Sequence, residues 1–125
     1  QGGCLIATAS TDSAKQAALE VAGAEIIVLP NADGRVDLEA LLRHLAQRGI
    51  NEVHVEAGSH LSGVFLKAGL VDELLLYMAP TLLGSDARGW FDDLNLTSLD
   101  QKTDWKFQDV RMIGANLRIV ARPAK

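Results

Sequence analysis

The sequence has only one cysteine, Cys4, so an internal disulfide bond is excluded. One cysteine and three scattered histidines form no metal-ligand pattern, and no metal site is predicted. Cys4 opens an apolar run and is predicted to be a small buried residue. This cysteine usage fits a reducing compartment, and we expect a cytoplasmic protein.

Positive charge is in the minority, with 12 lysines and arginines against 16 acidic residues and a net charge of −4. A nucleic-acid partner is therefore not expected, because it requires a basic face. No apolar run reaches the length of a membrane-spanning helix and no signal-peptide start is present, so no membrane partner is expected. The chain starts Gln1-Gly2-Gly3-Cys4 without a methionine, which indicates a piece of a longer chain or a processed chain.

Strand and helix patterns alternate as far as Pro80. Strands are predicted over Cys4–Ala9, Ala24–Leu29, Glu52–Glu56 and Leu74–Ala79. Helices are predicted over Asp12–Gly23, over the segment between Asp37 and Gly49, and over Ser59–Gly69. This order predicts an α/β domain with a mostly parallel sheet and helices on its faces.

Each of these helices has an apolar face, which in the third is made of Leu61, Val64, Phe65 and Ala68. The first carries Ala14, Ala17, Ala18 and Val21, and the second carries Leu38, Leu41, Leu42 and Leu45, with Asp37 as its cap. After Pro80 a loop is predicted over Thr81–Leu94, followed by strands over Trp105–Ile113 and Ala115–Arg122. Gly114 lies between them and predicts an antiparallel hairpin at the C-terminus.

The main candidate site is the stretch from Val53 to Gly63. A strand ends at Glu56, Gly58 allows a sharp turn and close approach of a ligand, and a helix starts near Ser59. The first amide groups of a helix and its dipole favour an anion such as a phosphate. Gly63 would allow close packing of the helix on the sheet or on a cofactor. A turn without a ligand, capped by Ser59, remains the alternative.

Other polar residues have both a functional and a plain interpretation. Glu56 either accepts hydrogen bonds from a polar ligand or is a solvated acid, and His60 either meets a phosphate or is solvated. His54 is expected to pack on a sheet face and His44 to lie on the surface. The remaining candidates, Asp92–Asp93 and the aromatic pair Trp90 and Phe91, are interpreted as loop charges and as anchors of the long loop.

Three stretches resemble one family in order and spacing. They are Val55-Glu56-Ala57-Gly58 running into Leu61–Leu66, then Ala68-Gly69-Leu70-Val71-Asp72-Glu73-Leu74, then Ala79-Pro80-Thr81-Leu82-Leu83-Gly84. This pattern resembles the C-terminal reductase domain of the bifunctional riboflavin-biosynthesis deaminase/reductase. The stretches Phe107–Arg111 and Asn116–Ile119 are similar to the hairpin that closes that domain.

The resemblance implies a three-layer, dihydrofolate-reductase-like fold, NADPH as the cofactor and, commonly, a homodimer. The implied substrate is 5-amino-6-(5-phosphoribosylamino)uracil, whose ribosyl group is reduced to a ribityl group. It assigns substrate contact to Glu56. It assigns cofactor contact to the turn made of Gly58, Ser59, His60, Leu61, Ser62, Gly63 and Val64. No catalytic acid is identified, and no motif supports a role for Thr8.

Two departures from the family pattern bear on this expectation. Ser59 stands where the family often has a proline or another small residue, and His60 where it has a small hydroxyl residue. The family's opening strand, with a Ser-Leu-Asp-Gly-like stretch, has no counterpart in residues 1–125, which we therefore interpret as the C-terminal part of one reductase domain. We expect this chain not to catalyse alone. A related reductase with another pyrimidine or pteridine substrate, or a non-catalytic nucleotide-binding or oligomerisation module, remains an alternative.

Overall fold

The structure, a computed structural model, describes residues 3–84, 86–92 and 94–124. The chain divides into two compact units, Gln1–His54 and Val55–Lys125. Each unit has its own small sheet. The length of 125 residues and the family resemblance predicted one domain over residues 1–125.

The first unit pairs two parallel strands, β1 (Cys4–Thr8) and β2 (Ala24–Val28), in register from Cys4 opposite Ala24 to Thr8 opposite Val28. Its helices are α1 (Ser13–Val21) and α2 (Leu38–Gln47). The Asp37 carboxylate accepts a hydrogen bond from the Ala40 amide at 2.9 Å, so the predicted cap is confirmed. The four leucines predicted to face the core from α2 are all half-buried, as expected.

Three predictions for this unit are wrong. Cys4 is exposed instead of buried, because it is the first residue of its strand. The alanine and valine face of α1 is exposed, with Val21 91% accessible. His44 is half-buried rather than on the surface, and its Nε2 atom is buried without a hydrogen-bond partner. Ala40, one turn earlier on α2, is half-buried as well, so the buried side of this helix is wider than the leucine stripe.

The second unit contains α3 (Ser59–Lys67), β3 (Leu74–Met78), a short 3-10 helix (Leu99–Gln101), β4 (Trp105–Ile113) and β5 (Asn116–Pro123). The strands form an antiparallel sheet in the order β3-β5-β4. Gly114 and Ala115 make the turn between β4 and β5, and Gly114 has a φ of +59°. A glycine with positive φ at the first position of a two-residue loop favours a type II′ turn. The predicted hairpin is thus confirmed.

The parallel part of the sheet is smaller than the sequence predicted. β3 pairs with β5 in antiparallel orientation, and residues 51–58 form neither helix nor strand. The predicted strand over Glu52–Glu56 is therefore wrong. Its alternating valines, Val53 and Val55, are each 42% exposed. The boundary between the two units falls inside this segment, so it connects two units instead of lying within one sheet.

The two faces of the antiparallel sheet differ in chemistry. Cross-strand neighbours point to the same side, so the register groups only apolar side chains on one face. These are Leu74, Leu76, Met78, Trp105, Phe107, Val110, Met112, Leu117, Ile119, Ala121 and Pro123. The opposite face carries ion pairs, including the Asp109 carboxylate 2.7 Å from both Arg111 and Arg118. We call the first of these the apolar face.

Candidate functional site

The candidate site is built around the start of α3. Ser59 is the first residue of the helix, and Gly58 is its N-cap residue with φ −71° and ψ 170°. Because glycine has no side chain, no side-chain oxygen of the cap residue accepts a hydrogen bond from the first amides. Glu56 lies two residues before Gly58 and is exposed. The predicted helix start near Ser59 is therefore confirmed, whereas the strand predicted to end at Glu56 is absent.

Gly58 is not needed for the sharp turn that the sequence suggested. Its φ of −71° belongs to extended backbone that any residue adopts, so the turn does not depend on the special freedom of glycine. A Cβ atom added at Gly58 would meet no other atom within 4 Å. The space beside this residue is thus open, and it fits an anionic group that approaches the main chain at the helix start.

Gly63, in contrast, is required by the packing of the chain. It is buried, and a Cβ atom added there would lie 1.9 Å from the main-chain oxygen of Asp92. No real side chain tolerates that distance. The sequence predicted that Gly63 allows close approach of a sheet or a cofactor. In the structure the closely approaching group is the backbone of the long loop after Pro80.

Ser59 has the same partner. Its hydroxyl group donates a hydrogen bond to the Asp92 carboxylate, and the Asp92 amide donates to the Ser59 carbonyl oxygen at 3.1 Å. The alternative that Ser59 caps the helix is wrong, because the N-cap position belongs to Gly58. Ser59 instead joins the first turn of α3 to the loop.

The seven residues assigned to the cofactor do not share one face. Successive residues of a helix point about 100° apart, so seven of them extend around all of it. His60 and Leu61 are exposed, Ser62 and Val64 are half-buried, and Gly63 is buried. An anion at the helix start would face the dipole and the first turn of α3. Among the later residues of the motif, Gly63 packs against the backbone of Asp92, and the cofactor contact assigned to the seven residues stays a prediction.

Asp92 is the residue that sequence reasoning missed. From its sequence context Asp92 was interpreted as a loop charge, and its neighbours Trp90 and Phe91 as the anchors of the loop. Trp90 is 50% exposed, Phe91 is half-buried, and Asp93 lies outside the described residues. Asp92 and Ser59 are 33 positions apart, and no periodic pattern or motif connects them.

A small cavity of about 120 Å³ lies in the first unit, where β1 ends at Thr8. Polar groups that line it form hydrogen bonds with each other. Thr8 Oγ1 accepts a hydrogen bond from the Ser10 amide, and Ser10 Oγ accepts one from the Asp12 amide. The nearest cation, Lys15, is 3.8 Å from the Asp12 carboxylate. The cavity does not add a residue to the candidate site.

Two further searches of the described ranges, 3–84, 86–92 and 94–124, gave negative results. They contain no cluster of three or more histidine, cysteine or acidic side chains arranged to hold a metal ion. Within the same ranges, every helix is too short or too polar to cross a membrane.

The sequence of the chain matches the family model described as the RibD C-terminal domain over residues 2–119. The chain belongs to this family. It is 43% identical over 91 residues to the riboflavin biosynthesis protein RibD of Escherichia coli, an alignment that covers 73% of this chain and 25% of the E. coli protein. It is 34% identical to a Buchnera aphidicola protein named 5-amino-6-(5-phosphoribosylamino)uracil reductase, over 79% of this chain and 48% of that protein.

Solved structures give the same result for the fold. The chain is similar to Acinetobacter baumannii RibD with a TM-score of 0.77 and 31% sequence identity, over 87% of this chain and 29% of that one. The predicted α/β, dihydrofolate-reductase-like fold class is thereby confirmed. The chain spans about a quarter of the length of the RibD proteins from E. coli and Haemophilus influenzae that it matches.

Proposed function

We propose that this RibD-family chain contributes to the NADPH-dependent reduction of 5-amino-6-(5-phosphoribosylamino)uracil in riboflavin biosynthesis. The observation that carries the proposal is the open glycine position at the start of α3, two residues after Glu56. This segment lies inside the region that matches the family model. The name of the Buchnera relative favours this substrate over another pyrimidine or a pteridine.

In this proposal the residues of the site have distinct roles. The start of α3 holds a phosphate of NADPH, because the main-chain amides and the dipole of a helix start favour an anion. Gly58 allows the phosphate to approach the main chain. Glu56 accepts a hydrogen bond from the substrate and fixes its position. Bound NADPH supplies the hydride that converts the ribosyl group to a ribityl group.

Binding is the decisive measurement for this chain, because the relatives that carry the named activity are longer. We expect saturable NADPH binding in a fluorescence or calorimetric titration, and competition by inorganic pyrophosphate. Absence of binding would contradict the proposal. Binding of NADPH without binding of the substrate would favour a nucleotide-binding module. Absence of turnover by the chain alone stays a prediction.

Glu56→Gln is expected to weaken substrate binding about fivefold, because it replaces a charge-assisted hydrogen bond with a neutral one. The NADPH affinity of the same variant should stay within about twofold of the original protein, since Glu56 is assigned to the substrate. The measurement is a calorimetric titration of each ligand.

Glu52→Gln is the matched control, because Glu52 is exposed, lies in the same segment and changes the net charge by the same amount. An equal effect of both substitutions on substrate binding would show that Glu56 has no specific role.

We further propose a homodimer in the cytoplasm. The homodimer is implied by the family resemblance, and the apolar face of the sheet supports it, because Phe107, Val110 and Met112 are 69%, 51% and 61% exposed. Large exposed apolar patches mark interaction surfaces. Analytical ultracentrifugation should find a dimer that Met112→Glu dissociates. A monomer at all concentrations would contradict this part of the proposal.

A further inference from the structure

The loop residue Asp92 is attached to the first turn of α3 by two hydrogen bonds. Its carboxylate accepts a hydrogen bond from the Ser59 hydroxyl group. Its main-chain amide donates to the Ser59 carbonyl oxygen at 3.1 Å. A side-chain bond and a main-chain bond together fix both the position of the loop and the position of the carboxylate.

Gly63 makes this contact possible. Ser59 and Gly63 are four residues apart, so they lie on the same side of α3. The main-chain oxygen of Asp92 lies only 1.9 Å from the position that the Cβ atom of any other residue at position 63 would take. Because Gly63 has no side chain, the surface of the helix has a gap at this position, and the loop backbone occupies it. The contact of Asp92 with α3 therefore depends on a specific feature of the helix, the absence of a side chain at Gly63.

The attachment brings a negative charge to a part of the helix that favours anions. The dipole and the amides of a helix start attract a carboxylate as well as a phosphate. The proposed function assigns this same turn to a phosphate of NADPH. Two anions within about 5 Å repel each other by roughly 1 kcal/mol even in bulk water, and by more near a protein surface.

We propose that Asp92 is an internal competitor of the anionic ligand, which must displace the loop from Ser59 before it binds fully at the start of α3. This inference rests on the proposed NADPH role of the turn and adds a control element to it. Asp92 is a regulating residue in this scheme and has no role in the hydride transfer.

Asp92→Asn tests the inference, because asparagine keeps the size of the side chain and removes its charge. We expect NADPH to bind this variant about fivefold more tightly than the original protein at low ionic strength. The difference should shrink at 0.5 M salt, where charges are screened over a few ångströms. Asp86→Asn is the control: Asp86 lies in the same loop, and its substitution changes the net charge equally. It should leave the affinity unchanged.

The outcomes separate the inference from the proposed function. If the original protein binds NADPH and Asp92→Asn binds it equally or more weakly, the inference is wrong and the proposed function stands. If none of the variants binds NADPH, both are wrong. If Asp86→Asn has the same effect as Asp92→Asn, the gain comes from net charge alone and the inference is again wrong.

Hydrogen exchange in the unsubstituted protein gives a second test that does not depend on the folding of a variant. The Asp92 amide is held by the Ser59 carbonyl oxygen and should exchange slowly without ligand. Saturation with NADPH should accelerate its exchange, because the loop is released. A loop that closes over the ligand would instead slow the exchange, and slower or unchanged exchange would overturn the inference.

Discussion

Gly63→Ala is expected to lower the free energy of unfolding by about 2 kcal/mol. The new Cβ atom would lie 1.9 Å from the Asp92 carbonyl oxygen, and a backbone atom cannot rotate away as a side chain can. Overlap of this kind typically costs about 1–3 kcal/mol or more. The better helix propensity of alanine returns at most about 1 kcal/mol. The clash therefore outweighs the propensity, and the loss is measurable by urea unfolding followed by circular dichroism.

Gly89→Ala is the matched control for this measurement. Gly89 lies in the loop that contacts α3, its φ is not positive, and a Cβ atom added there would meet nothing within 4 Å. Its substitution should leave the protein as stable as before or slightly more stable, because alanine restricts the unfolded chain. Equal unfolding midpoints for Gly63→Ala and the original protein would mean that the loop does not pack on α3 in solution.

Local signals in the sequence predicted much of the fold. Asp37 followed by leucines at helical spacing predicted the start and the half-buried side of α2. Gly114 between two strand-like runs predicted the hairpin of β4 and β5. Such signals depend only on neighbours within a few positions, so they can be read from one sequence. The resemblance of three short motifs then predicted the family that the comparison confirmed.

Features that depend on distant residues were not predictable in this way. The alternation of Val53 and Val55 satisfied the strand pattern, but a strand also needs a partner, and the unit boundary falls at this point. The direction of β3 depends on its pairing with β5, which places Leu74 opposite Ala121 and Met78 opposite Leu117, far later in the chain. The contact of Asp92 with Ser59 and Gly63 likewise exists only after the loop has folded onto α3. The sequence therefore predicted that Gly63 allows a close approach but not which group approaches.

The structure thus gives Gly58 and Gly63 different roles. Replacement of Gly58 should change the affinity for the ligand without changing the stability of the protein. Gly58→Ala is expected to weaken NADPH binding about 30-fold, which corresponds to the loss of one charge-assisted hydrogen bond of about 2 kcal/mol. The physical reason is that the new methyl group occupies the open space through which the phosphate would approach the helix start. Titration of the purified variant with NADPH measures the effect.

The stability of the same variant supplies the control. Alanine fits the backbone angles of Gly58 without strain and restricts the unfolded chain, whereas it is a poorer N-cap residue, and these effects nearly cancel. The free energy of unfolding should therefore change by less than about 0.5 kcal/mol. If Gly58→Ala is as stable as the original protein and binds NADPH with the same affinity, no ligand group occupies the open space beside residue 58. If the variant loses both affinity and stability, the glycine is needed by the fold. Only loss of affinity at constant stability is consistent with a phosphate that approaches the main chain at residue 58.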